Sequence, residues 1–104
     1  YLKNIERLDL SFNDLIEMPE QIGKLKKLKF IDLFSNKRMN ALPKSIGKLK
    51  QLENLNLGNN QIKELPKELV KLEKLKELYL AGNPISEEEK EKIKKLLPDT
   101  DIIF

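Results

Sequence analysis

The chain has 104 residues, 36% of them charged and 39% hydrophobic, with 20 basic against 17 acidic side chains for a net charge of +3. Neither cysteine nor histidine occurs, which excludes a disulfide framework and the thiolate or imidazole chemistry of most nucleophilic and zinc sites. No apolar run approaches the roughly 18 residues of a membrane span, and the numbered chain shows no signal-peptide pattern.

Charge is spread unevenly along the chain. Residues 1–52 carry 11 basic and 6 acidic groups (+5), and residues 53–104 carry 9 and 11 (−2). An imbalance of this size biases partner choice without indicating nucleic acid.

In chain order, Tyr1-Leu2-Lys3-Asn4-Ile5 does not read as a beginning. It matches Leu25-Lys26-Lys27-Leu28, Leu49-Lys50-Gln51-Leu52 and Leu72-Glu73-Lys74-Leu75, so it is expected to be the tail of an earlier unit or an atypical cap. Tyr1 is not an initiator methionine, so the numbered chain reads as trimmed or processed. No amphipathic helix precedes Ile5, and the N-terminal cover that a stacked array needs is expected to be missing.

From Ile5 the chain repeats one pattern. Ile5 to Pro19 gives I-x-x-L-x-L-x-x-N-x-L-x-x-M-P, and Leu52 to Pro66 gives L-x-x-L-x-L-x-x-N-x-I-x-x-L-P. Leu28 to Pro43 follows it with one extra residue, and Leu75 to Ile85 follows it until the pattern changes. Starts at Ile5, Leu28, Leu52 and Leu75 are 23, 24 and 23 residues apart. Within each copy the period of two predicts a short strand with its leucines on the core side. Asn54, Asn56 and Gly58 are then expected to face solvent. The columnar asparagines Asn13, Asn36, Asn60 and Asn83 are expected to satisfy backbone groups of the turn leaving each strand. Pro19, Pro43 and Pro66 are expected at the first position of a short helical or 3₁₀ turn on the convex side. The turns place Lys24, Lys26, Lys27, Lys48, Lys50, Lys71 and Lys74 in outer basic columns. The extra residue in the second copy predicts a small basic bulge near Lys37 and Arg38.

After Asn83 a helix is predicted, with Ser86 as N-cap, Glu89 as its capping-box partner, and Ile93, Leu96 and Leu97 as its apolar stripe. Pro98 stops it, and Asp101-Ile102-Ile103-Phe104 resumes the alternation of a fifth strand.

These motifs resemble those of leucine-rich repeat proteins over essentially the whole chain. The ending Asn83-Pro84-x-Ser86-x-x-Glu89, then Lys94-x-x-Leu97-Pro98, is similar to the terminal repeat of bacterial 23-residue members, notably those of Leptospira-like spirochaetes. The resemblance implies an α/β right-handed solenoid over residues 1–104. A parallel sheet would line the concave face, short 3₁₀ turns the convex face, and residues 84–104 would form the C-terminal cap.

Strand alternation then assigns the concave columns. Arg7, Phe30, Asn54, Glu77 and Asp101 form the first, and Asp9, Asp32, Asn56, Tyr79 and Ile103 the central one. Ser11, Phe34, Gly58 and Ala81 form the third, with Phe12 at the rim. Asp9 and Asp32 are paired carboxylates, but the face is open to water and carries no nucleophile. No enzyme, cofactor or metal site is expected. Phe30, Phe34 and Tyr79 point outward as aromatics at a candidate interface. The expected partner is a protein held by Arg7, Asp9, Phe30, Asp32, Phe34, Asn54, Asn56, Glu77 and Tyr79.

The resemblance implies an exported or cell-surface bacterial protein engaging host surface molecules. An intracellular scaffold that cradles a small GTPase or signalling protein is the alternative. Glycosaminoglycan or other polyanion binding on the lysine-rich convex side is a weaker one. Self-association through the uncovered first strand is a further expectation.

Overall fold

The computed structural model describes residues 2–104; Tyr1, and with it part of the expected opening turn, lies outside them. Five three-residue strands form one parallel sheet in chain order: β1 (Arg7–Asp9), β2 (Phe30–Asp32), β3 (Asn54–Asn56), β4 (Glu77–Tyr79) and β5 (Asp101–Ile103). The register is the one the repeats require. Leu8, Ile31, Leu55, Leu78 and Ile102 are direct neighbours across the sheet, and Asp9, Asp32, Asn56, Tyr79 and Ile103 form the next column.

The core is the leucine column behind that sheet. Ile31, Leu33, Leu55, Leu57, Leu78 and Leu80 are buried together with Leu28, Leu52 and Leu75 from the chain entering each strand. Burying each such side chain contributes roughly 1.5–3 kcal/mol. Ile5, Leu8 and Leu10 at one end, and Ile102 and Phe104 at the other, are only partly buried.

Side chains brace the chain as it leaves the first three strands, while backbone bonds between neighbouring repeats run on as far as Phe12, Ser35 and Asn59. The Asp9, Asp32 and Asn56 Oδ1 atoms each accept the backbone N–H two residues on, at 3.0 Å in all three cases. The chain then turns through a left-handed residue, Phe12 (φ 57°), Ser35 (61°), Asn59 (57°) or Gly82 (80°). The columnar asparagine follows at once. Asn36 Nδ2 donates to the Leu10 and Leu33 carbonyls, Asn60 Nδ2 to Leu33 and Leu57, and Asn83 Nδ2 to Leu57 and Leu80. Each Oδ1 reaches back to the preceding repeat. Leu15, Asn36 and Ile62 donate their backbone N–H groups to Asn36, Asn60 and Asn83 respectively.

The extra residue of the second repeat explains why the middle bond differs. In repeats 1 and 3 the donor lies two residues past the asparagine; in repeat 2 it is Asn36 itself, at 2.6 Å. Met39 stays fully buried, so the surplus is absorbed at Lys37 and Arg38. The expected bulge is less basic than its sequence, because the Arg38 guanidinium is held by both Asp14 carboxylate oxygens at 2.9 Å.

The convex side carries 3₁₀ turns at Glu20–Lys24, Lys44–Lys48 and Lys67–Lys71. Pro19, Pro43 and Pro66 stand one residue before these turns, not at their first position. Their backbone is extended (ψ 154°, 154° and 143°), and their carbonyls accept the Ile22, Ile46 and Leu69 N–H groups. A ring-fixed φ suits either position; the extended ψ decides between them. Stacking of the turns depends on glycine. A Cβ on Gly47 would lie 2.7 Å from the Glu68 carbonyl oxygen. Val70 holds the same place in the third turn and is exposed, because a helix rather than another 3₁₀ turn follows.

That helix is α1 (Glu87–Leu96). Ser86 Oγ accepts the Glu89 N–H at 3.1 Å, three glutamates fill the first turn, and Ile93 faces the core. The acidic first turn and the lysines of the last complement the helix dipole. Thr100 then donates to the Leu75 carbonyl, and β5 pairs with β4.

Candidate functional site

The outward columns of the sheet place the side chains singled out above on one face. Arg7, Asp9, Phe30, Asp32, Asn54, Asn56 and Tyr79 line a single shallow hollow of about 440 Å³. Its shape comes from strand register alone, since each of these residues precedes or follows an inward leucine or isoleucine by one position. A larger hollow, of about 600 Å³, lies where the chain enters β4 and β5, and brings together none of these residues.

Within the hollow most polar groups are already engaged. Glu77 accepts from Asn54 Nδ2 at 3.1 Å and from the Tyr79 hydroxyl at 2.7 Å, so it borders the hollow through both. The bond to Glu77, then burial, holds the Tyr79 hydroxyl above its ordinary pKa. Ser11 donates to Asp9 from its hydroxyl at 2.6 Å and from its backbone N–H at 3.0 Å, which holds the Asp9 carboxyl below its ordinary range. Asp9 and Asp32 are adjacent in register, and neither is in an ion pair among the described residues. Arg7 lies over the Phe30 ring, 4.3 Å from its centre. The expectation of Phe30 as an open aromatic is corrected accordingly: one face of its ring is covered.

Phe34 does not join the hollow. Its ring lies on Gly58, where a Cβ would come within 2.9 Å of Cδ1. Gly58 is therefore buried rather than solvent-facing as expected. Phe34 meets Phe12 edge-on, with centres 5.6 Å apart and planes at 67°. Phe12 is 75% exposed and holds a left-handed backbone, which costs a bulky residue about 1–2 kcal/mol. It belongs with the site residues although the alternation did not select it. A signal was present in the sequence: the other repeats put Ser35, Asn59 and Gly82 at this position, all common turn residues.

The convex lysines Lys24, Lys26, Lys27, Lys48, Lys50, Lys71 and Lys74 are all exposed. Lys44, Lys48, Lys50 and Lys71 share a hollow of about 430 Å³ with Glu20 and Glu68, which lowers its positive charge. No cluster of three or more histidine, cysteine or acidic side chains able to hold a metal ion occurs among the described residues. Nor is any helix among them long and apolar enough to cross a membrane.

Comparison with known proteins agrees with this architecture. Residues 8–97 match a family model described as a leucine-rich repeat region. A leucine-rich repeat protein of Leptospira interrogans is 50% identical with a TM-score of 0.94, over 96% of this chain and 25% of that one. A plant peptide hormone receptor, RGFR1, solved in complex with RGF2, is 27% identical with a TM-score of 0.65, over 80% of this chain and 14% of that one. The chain thus spans about a quarter of the Leptospira protein and less of the receptor. No curated protein matches it.

Proposed function

The chain belongs to the leucine-rich repeat family, and from that premise we propose that it is a non-catalytic module that grips a protein partner on the concave face of its sheet. The observation that carries this reading is the aromatic pair on the rim of that face, an exposed Phe12 set edge-on to a half-buried Phe34. Neither ring belongs to the leucine core. An aromatic pair with one exposed ring beside a polar hollow has the composition of an interface centre with its rim. The receptor solved with RGF2 is a precedent for a polypeptide ligand on a related fold.

The likeness to the Leptospira interrogans protein supports a finer reading: an exported or cell-surface bacterial protein that engages host surface molecules through Arg7, Asp9, Phe30, Asp32, Phe34, Asn54, Asn56, Glu77 and Tyr79. Residues 84–104 serve as the closing unit of a single domain. An intracellular scaffold would use the same face for a small GTPase. Self-association through β1, beside the half-buried Ile5, Leu8 and Leu10, is a second mode of contact within this proposal.

The test is binding to three panels: host extracellular proteins, small GTPases and heparin. The native chain is compared with Phe34→Ala and with a variant carrying Lys24→Ala, Lys48→Ala and Lys71→Ala together. Phe34→Ala should weaken a genuine protein partner by about 1–3 kcal/mol, and the lysine triple should change little. Loss of binding in the lysine triple with retention in Phe34→Ala would reverse the reading in favour of a polyanion on the convex side.

A further inference from the structure

The two faces of the solenoid differ in charge. Among the ten outward residues of the five strands the only base is Arg7, against Asp9, Asp32, Glu77 and Asp101. The concave face is therefore at −3 in a chain of net +3, which leaves 19 basic and 13 acidic groups elsewhere, or +6. A cationic segment is attracted to the inner face and repelled from the rest of the surface, so charge alone directs it to one side of the molecule.

We infer that the partner presents an extended segment with a lysine or arginine seated between Asp9 and Asp32, and an apolar side chain two residues along it resting on the Phe12–Phe34 pair. This rests on the concave-face reading above and names the chemistry of its ligand. Three observations support it. Asp9 and Asp32 are neighbours in register and make no ion pair among the described residues, while the nearest base, Arg7, is held on Phe30. Each carboxylate already uses its Oδ1 on a backbone N–H, so the pair is held in place in the lining of the hollow, and neither Oδ2 accepts a hydrogen bond from the described residues. The apolar rim lies at a matching distance: Phe34 follows Asp32 by two residues, past the end of β2 but where Leu33 and Ser35 still donate to Asn56 and Gly58, so the two stand about 7 Å apart, the separation of two same-side residues of an extended peptide. The pattern demanded of the partner is basic-x-apolar.

Short synthetic peptides on a threonine background test this by titration into the isotope-labelled chain, followed through backbone amide NMR shifts. One carries Lys-Thr-Phe, one Glu-Thr-Phe, one Lys-Thr-Thr, and one Lys-Phe with no spacer. Lys-Thr-Phe should shift the amides of Asp9, Asp32 and Phe34. It should bind about 2- to 5-fold more tightly than Glu-Thr-Phe, the discrimination expected of an open ion pair. The double variant Asp9→Asn with Asp32→Asn keeps the side-chain caps on the strand ends and should abolish that preference. Phe12→Gly should reduce Lys-Thr-Phe to the affinity of Lys-Thr-Thr.

Equal binding of Glu-Thr-Phe and Lys-Thr-Phe at these amides would overturn the cationic ligand while leaving the concave face as the site. Equal binding of the unspaced peptide would overturn the two-residue pattern. Shifts confined to the convex 3₁₀ turns, or no shift with any peptide at millimolar concentration, would overturn the inference. The convex result would also remove the concave-face reading.

Discussion

Replacing Asn60 by alanine should be among the most damaging single changes in the chain, and the asparagine column gives its size. Asn60 is buried, at 1% exposure. It makes three hydrogen bonds: Nδ2 to the carbonyls of Leu33 (3.1 Å) and Leu57 (2.8 Å), and Oδ1 to the Asn36 N–H (2.6 Å). The two carbonyls stay satisfied in the variant, because Leu33 also accepts from Asn36 and Leu57 from Asn83. The Asn36 N–H loses that acceptor and is buried. One orphaned donor costs roughly 1–3 kcal/mol and the two other bonds lost contribute about 1 each, so Asn60→Ala should destabilise by about 3–5 kcal/mol. Asn59 is the control. It is exposed, its left-handed backbone makes alanine there cost about 1–2 kcal/mol, and its side chain bonds Ser35 Oγ alone among the described residues. Asn59→Gly should remove most of that cost. Urea unfolding followed by circular dichroism compares the three variants. If Asn60→Ala is no less stable than Asn59→Ala, the column does not carry the turns as described. Asn60→Asp sharpens the test. Its carboxylate would face two carbonyls, so its folded pKa must rise above its unfolded value near 4. The variant should therefore be least destabilised in acid and lose stability as pH climbs past about 4.

Phe12→Gly should leave the fold as stable or slightly more stable, since relief of the left-handed strain offsets the loss of one exposed ring contact; a clear fall in urea midpoint would show the ring to be structural. Gly58→Ala pushes a methyl into the Phe34 ring, and should weaken partner binding several-fold at unchanged secondary structure, read by titration and circular dichroism together. The Tyr79 phenol should ionise above pH 10, and the contact with Glu77 should persist below that and be lost as pH rises through the folded value. Glu77→Gln should bring the titration back toward the ordinary range, seen in the Tyr79 ring resonances.

The frame was legible because it is periodic. Leucine spacing placed all five strands and their register, and Ser86 with the glutamates after it located α1. What escaped depends on angles that no residue pattern records. Whether Pro43 opens a 3₁₀ turn or stands before it is a matter of ψ, and both choices suit the ring. Gly58 reads as a gap in the outward column until Phe34 is seen to fill it. Arg38 reads as an exposed base until Asp14, 24 residues earlier, is brought beside it. Phe12 was placed at the rim but not among the partner-binding residues, because strand alternation ends before it, although its three counterparts are turn formers.

The asparagine column also has a direction. The Oδ1 atoms of Asn36, Asn60 and Asn83 each serve the repeat before their own, not the one after: Asn36 holds Leu15, Asn60 holds Asn36, and Asn83 holds Ile62. Deleting the first repeat would thus leave every later turn its acceptor, while deleting the last would take one from its predecessor. The array is consequently asymmetric as a mechanical object, weaker to erosion from its C-terminal side than from its N-terminal side. On a ribosome, where the N-terminus emerges first, each turn would wait for the next repeat before its amide found a partner. The fold would then close behind itself, one repeat late, until α1 and β5 arrive.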